Sequence, residues 1–204
     1  IADLDIPHNP NRSGRNLMIM AGNMQSFHGV GECIEAVSRI REHYPDATLT
    51  LVGRVREDLN DRIGGSGRDE FITTTGFLPY RAMYERLNKG VAGLLVFQPT
   101  YYNISIGLPN KLFDYMLLGL PVIASDLPEI RNVVARADCG ILVDPGSVSE
   151  IVDAIAYLFD FPEEAQKMGA NGRQAVLERY NWSAMEADLL QAYRNLDGSP
   201  SSTA

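Results

Sequence analysis

Residues 16–53, NLMIMAGNMQSFHGVGECIEAVSRIREHYPDATLTLVG, decide the fold. The run NLMIMA at 16–21 is short, apolar and closed by Gly22-Asn23, as a buried strand would be. After Gly29, the residues Val30, Cys33, Ile34, Val37, Ile40 and Tyr44 recur at i, i+3, i+4 and i+7, which is the apolar stripe of a helix. Residues 48–52 form a second β-branched, apolar run that stops at Gly53. A strand, a helix and a strand in this order make a right-handed crossover between parallel strands.

The alternation continues in the C-terminal direction. A charged, glycine-rich stretch with Arg54, Arg56, Arg62, Gly64, Gly65, Gly67 and Arg68 leads to a strand at 71–75, which ends at Gly76. Pro79 then opens a helix that runs to about Lys89. The unbroken apolar run at 91–97 suits a strand covered on both faces. A helix at 110–118, a strand at 121–124, a helix at 128–135 and a strand at 140–143 follow. Helices at 147–159, 162–180 and 182–196 close the chain. The fold class is therefore α/β, a doubly wound parallel sheet with helices on both faces. Residues 1–15, with Pro7, Asn9, Pro10, Asn11 and Gly14, read as a linker. Residues 16–180 form the sheet domain, and 181–204 a final helix with a low-complexity, flexible tail.

Composition limits the partners. In 204 residues, 45% are apolar and 22% charged, which excludes disorder and collagen-like repeats. Eighteen Lys plus Arg against 26 Asp plus Glu give a net charge of -8. That balance argues against a broad nucleic-acid or anionic-membrane surface and leaves room for a local basic pocket. No apolar run is long enough to span a bilayer. Cys33 and Cys139 stand far apart without metal-ligand spacing, so reduced, cytoplasmic thiols are expected. The chain starts at Ile1 without a signal-like segment, as a fragment would.

Sheets of this class bind ligands at the carboxyl ends of their strands. Gly29-Val30-Gly31 has the opening of a dinucleotide fingerprint, but Ile34 replaces the third glycine and no strand runs directly into the first. A helix N-terminus packed close to the sheet is the expectation there. The stretch GLPNKLFDYMLLGLPVIASD at 107–126 carries more chemistry. Its turn delivers a helix N-terminus near Asn110, with free amides and a positive dipole end for an anion. Lys111 lies in the first turn, and Asp114 follows one turn later near the same face. A cation and amides for phosphate, with a carboxylate for a diol, can hold a nucleotide. Taken singly, a solvated lysine and a surface acid fit each position as well.

In the order of the chain, several stretches resemble the C-terminal half of retaining glycosyltransferases of the GT-B fold, in glycosyltransferase family 4. PNKLFDYMLLGLPVIASD is similar to the donor-site pattern P-[NS]-K-x-x-E-Y-M-A-x-G-x-P-V-I-A-S. MIMAGNMQSFHGVGECIEAV, LTLVGR, TTTGFLPYRAMYERLNKG, Pro128-Glu129, GILVDPGSVSEIVDAI and MGANGRQAVLERYNWS resemble further family segments, and the likeness spans roughly residues 16–196.

The resemblance implies two Rossmann-like domains, with acceptor on the N-terminal one and nucleotide sugar on the C-terminal one. This chain resembles the second, with residues 1–15 as the interdomain linker and the N-terminal acceptor domain missing. Asp114 takes the place of the carboxylate that binds the ribose hydroxyls. Gly107, Leu108, Pro109 and Asn110 match the loop whose amides meet the diphosphate and sugar. Gly76, Phe77 and Leu78 match the turn that packs on the base. Arg54, after Gly53, is expected to form the phosphate pair with Lys111, although a solvent-screened loop charge is the alternative. In the first loop, beside Gly22, Asn23 and His28 occupy places where many members carry Arg and Lys. His28 is expected either to contact phosphate or to be an exposed loop histidine. Ile106 stands where the family has a Glu that holds the sugar.

The implied chemistry is metal-independent transfer with retention to a glycan or glycolipid, with no cofactor, no nucleic acid and no protein nucleophile. Any membrane contact would come through the missing half of a cytoplasmic or peripheral protein. Two alternatives stay open. One is a nucleotide-sugar 2-epimerase-like domain, whose several catalytic acids and His are not matched by QPTYYNISI at 98–106. The other is a non-catalytic nucleotide- or partner-binding domain, which Ile106 favours. Trp182, Met185, Leu189, Ala192, Tyr193 and Leu196 form an apolar stripe on the last helix, with Glu186 and Asp188 off it. Either it packs on its own domain, or it crosses back to the missing one and is left uncovered here.

Overall fold

Alternate residues of β1 (Asn16–Met24) enter opposite layers of core: Leu17 and Ile19 on one face, Met18 on the other. The structure, a computed structural model, describes residues 9–10, 12–59, 63–64 and 70–196. After β1 come α1 (Val30–Ile40), β2 (Thr48–Val55), β3 (Ile72–Thr74), α2 (Tyr80–Leu87) and β4 (Ala92–Leu95). They are followed by α3 (Asn110–Leu117), β5 (Val122–Ser125), α4 (Pro128–Ala137), β6 (Gly140–Val143), α5 (Val148–Asp160), α6 (Pro162–Glu178) and α7 (Trp182–Leu196). The strands lie in the order β3-β2-β1-β4-β5-β6, and every pairing is parallel. α1, α5 and the start of α6 cover the face of Leu17, while α2, α3, α4 and the end of α6 cover that of Met18. β4 is buried at every position, as its unbroken apolar run requires.

Two glycines fix how closely the layers approach. At Gly29 φ is 68°, and a Cβ would lie 1.9 Å from the Val96 carbonyl oxygen. The N-terminus of α1 is therefore seated on the end of β4, which is the packing role expected for Gly29-Val30-Gly31. At Gly93 a Cβ would meet the ring of Tyr115 at 2.6 Å, so the absent side chain makes room for a fully buried aromatic.

Two expectations need correction. β1 does not close at 21 but runs to Met24, so Gly22 and Asn23 stand within the strand, beside an irregularity in the ladder between Met20 and Asn23. Asn23 and Met24 pair with Arg54 and Val55 of β2, which is extended to match. The loop at 98–106 contains an unforeseen helical turn, Tyr102–Ser105. The segment before β1 is also anchored. Arg12 donates to the carbonyl oxygens of Asn88, Gly90, Leu118 and Gly119, at 2.9, 2.6, 2.5 and 3.3 Å. Burial lowers its guanidinium to about 10. Residues 1–8, Asn11, Arg62, Gly65, Gly67, Arg68 and the tail from 197 lie outside the described residues.

Candidate functional site

The strand order reverses between β1 and β4, and ligands of doubly wound sheets bind where it does. Loops from several strands are tied together at that edge. The Gln98 amide donates to the Phe27 carbonyl at 2.8 Å, and its side chain donates to Pro145 at 2.7 Å. Buried Ser125, at the end of β5, donates to the Phe97 carbonyl at 2.8 Å. Phe97 is thus held by its backbone, and its ring gathers two of the expected site residues. The His28 ring meets it edge-on with centroids 5.1 Å apart, and Lys111 Nζ lies 5.6 Å from its centroid.

His28 is 6% exposed, so it is not an exposed loop histidine. Its Nδ1 accepts the Gln25 N–H at 2.9 Å, which leaves the proton on Nε2. Burial, with the nearby Lys111 charge, lowers its imidazole to about 4. The ring is neutral at physiological pH and can offer one N–H donor.

Lys111 and Asp114, both half-buried, stand one turn apart at the start of α3. Burial pulls the lysine below its ordinary range, against the pull of Asp114. Burial likewise raises the Asp114 carboxyl, and the Tyr84 hydroxyl and Lys111 hold it back. Tyr84, only 3% exposed, donates to Asp114 Oδ1 at 2.6 Å. Sequence reading passed over Tyr84. Its signal was faint, a second tyrosine four residues after Tyr80 in the helix that Pro79 opens.

The loop before α3 is tight, because a Cβ at Gly107 would lie 2.5 Å from the Asn103 carbonyl oxygen. Pro109 is the N-cap, and neither a side-chain cap nor an acid meets the first turn. Leu108 and Asn110 are exposed beside it. Ile106, 49% exposed, shares the loop with exposed Tyr101 and Tyr102.

On the other side of β1, Gly53 and Gly76 form an isolated antiparallel bridge, and the Gly53 N–H donates to Thr75 Oγ1 at 3.2 Å. Gly76 has φ 66° with open space where a Cβ would be. Next to it Phe77 is 70% exposed, while Leu78 packs into the core. Arg54 is exposed, opposite Asn23 in the ladder, and its side chain makes no hydrogen bond or ion pair among the described residues. Arg54, on β2, and Lys111, after β4, thus lie on either side of β1. A cavity of about 300 Å³ lined by Arg12, Arg15, Val91, Pro121 and Phe159 lies at the opposite ends of the strands, away from all these groups.

Among known proteins, the alpha-D-kanosaminyltransferase of Streptomyces kanamyceticus is 26% identical over 184 residues, covering 89% of this chain and 46% of that protein. The chain spans about half the length of the curated relatives it matches. The crystallised C-terminal domain of LpcC, a glycosyl transferase group 1 family protein from Francisella tularensis, superposes with a TM-score of 0.70 at 20% identity, covering 84% of this chain and 89% of that one. HepE of Anabaena, solved in complex with UDP-glucose, superposes with a TM-score of 0.74 at 16% identity over 89% of this chain and 49% of that one. These likenesses give the fold as that of a C-terminal GT-B half. The family model for glycosyl transferases group 1 matches residues 3–175, and the chain belongs to that family.

Proposed function

We propose that this chain binds the nucleoside-diphosphate sugar of a retaining glycosyltransferase. The observation that carries this reading is the placement of Lys111 and Asp114 three residues apart on the first turns of α3, both partly desolvated at the reversal of strand order. A lysine in the first turn opposes the helix dipole, and burial adds to its cost. A diphosphate arriving at the uncapped amides would offset both. Charge grows on that diphosphate as the sugar departs, and the amides, Lys111 and Arg54 would stabilise it, with the neutral His28 N–H as a further donor. In this reading they do the work of a divalent ion. The Asp114 carboxylate accepts the ribose hydroxyls, and the main chain of Gly76, Phe77 and Leu78 meets the base. The structural similarity to HepE, solved with UDP-glucose, supports a nucleotide sugar here. A glycan or glycolipid acceptor would be bound by parts of the protein outside this chain. Buried, unpaired Cys33 and Cys139 support a cytoplasmic setting, and no helix among the described residues is long and apolar enough to cross a membrane.

Calorimetric titration with UDP, GDP and their glucose esters, with and without EDTA, tests this. Saturable binding that EDTA leaves unchanged is expected, with Lys111→Ala weakening the diphosphate while sparing the plain nucleoside. No saturable binding by any of them overturns the reading, and binding abolished by EDTA overturns its metal independence. Ile106 favours a second reading, a nucleotide binder without transfer, because an apolar side chain half open to the cleft cannot hold a sugar hydroxyl. Sugar-ester hydrolysis or transfer by the whole protein distinguishes the two.

A further inference from the structure

We infer that Tyr84 is a positioning residue, whose hydroxyl aims the Asp114 carboxylate at the ribose and ties it to the turn that meets the base. This rests on the nucleotide reading above. An aspartate reaches one methylene less far than a glutamate, so its direction matters more. The Tyr84 O–H takes one lone pair of Oδ1 at 2.6 Å, within the range of a charge-assisted hydrogen bond, and leaves Oδ2 free for a diol. Tyr84 itself is held in place, because it is 3% exposed and belongs to the core cluster on the Met18 face of the sheet. It also lies in the second turn of α2, whose N-cap Pro79 directly follows Gly76, Phe77 and Leu78. Leu78 packs on the same cluster. A displacement of that turn therefore carries Tyr84, and with it Asp114. Base and ribose would be sensed as one rigid unit.

The groups acting on Asp114 are Tyr84 from α2 and Lys111 from its own helix, with Tyr80 acting in turn on Tyr84. Both Tyr84 and Lys111 favour the ionised carboxylate, the form that accepts from hydroxyls. Loss of the Tyr84 hydroxyl raises the Asp114 carboxyl further, so the acid limit of nucleotide binding moves to higher pH.

The test uses UDP and GDP with their 2′,3′-dideoxy counterparts, on the wild type and Tyr84→Phe, across pH. The wild type is expected to prefer the ribonucleotide by about tenfold, as loss of a charged hydrogen bond predicts. Tyr84→Phe is expected to cut that preference to about threefold or less, change dideoxynucleotide binding less than about twofold, and raise the acid limit. An undiminished preference with an unmoved acid limit would show that Tyr84 only packs, and overturns the inference alone. A wild type that binds nucleotides without preferring the ribose overturns the role of Asp114 as well, and one that binds none overturns the preceding reading. Should Tyr84→Phe fail to fold, 3-fluorotyrosine at position 84 keeps ring and hydroxyl and strengthens the donor. The acid limit must then move to lower pH, and an unmoved limit overturns the inference.

Discussion

His28 shows how one buried side chain converts packing into pH dependence. Its ring lies against Phe27 and Phe97, with Nδ1 fixed by the Gln25 N–H. Protonation would place a second cation near Lys111, on a ring that is itself shielded from water. The folded imidazole is therefore lowered to about 4 from the ordinary 6.5. The sign follows from linkage. A group with a depressed folded-state value contributes stability that is complete above its unfolded value and is lost as pH falls. Between pH 7 and 4 the wild type should lose on the order of 2–3 kcal/mol that His28→Asn does not lose, because the amide oxygen can still accept from Gln25 without binding a proton. Urea unfolding at a series of pH values measures the difference between the two proteins. Parallel curves would show that His28 titrates normally in the fold. None of this was legible in the sequence, where a histidine between Phe27 and Gly29 reads equally well as exposed. Tyr84 was hidden for a related reason. Its partner lies thirty positions away, and only the packing of α2 beside α3 brings the hydroxyl to Asp114.

At the scale of elements, periodicity served the helices and buried strands well, because each covers a single apolar face or is covered on both. β4 and β5 carry no charge, and α1 keeps its stripe through Ile40. Reading failed where an element depends on its neighbour. Gly22-Asn23 has the composition of a turn, yet it stays in β1 because Arg54 and Val55 extend the adjacent strand beside it. The helical turn at Tyr102–Ser105 is too short to show a period. Glycine roles can be separated by substitution. Gly29 and Gly76 share a left-handed backbone, at φ 68° and 66°, so alanine strains both. Only at Gly29 would the new Cβ strike backbone, the Val96 carbonyl. Gly76→Ala should cost about 1 kcal/mol. Gly29→Ala should cost roughly 2–4 kcal/mol, since α1 must lift from the sheet edge as well. Equal losses in denaturant unfolding would mean that α1 is not seated on β4 as described.

The molecule as a whole divides into a sheet sandwiched by helices and one helix that stands apart from both core clusters. Arg173 of α6 donates to the Leu117 carbonyl at the end of α3, and Asn171 Nδ2 donates to the Asp138 carbonyl at 3.1 Å, so α6 is bound into the domain by its polar residues as well as by Ala175 and Val176. Asn181 then ends that helix, donating to the carbonyls of Val176 and Leu177 at 3.2 and 2.9 Å, and its side-chain oxygen caps α7 through the Ala184 N–H at 2.9 Å. Beyond this double cap, the described large apolar side chains of the helix have no cover on their own domain. Trp182, Met185, Leu189, Leu190 and Tyr193 are all exposed. A helix of fifteen residues that shows no buried face among its described side chains has little besides its own hydrogen bonds to hold it, and such helices are marginal in water. Opening α7 should therefore be nearly independent of opening the sheet. A chain ended after Asn181 should melt within about 2 °C of the full chain, because few buried contacts are removed. In the full chain as a demonstrated monomer, amides from Met185 to Asn195 should exchange orders of magnitude faster than those of β4. Protection of α7 equal to that of β4, or a large drop in melting temperature on truncation, would mean that the apolar stripe is buried in solution and that the helix belongs to the domain it leaves here.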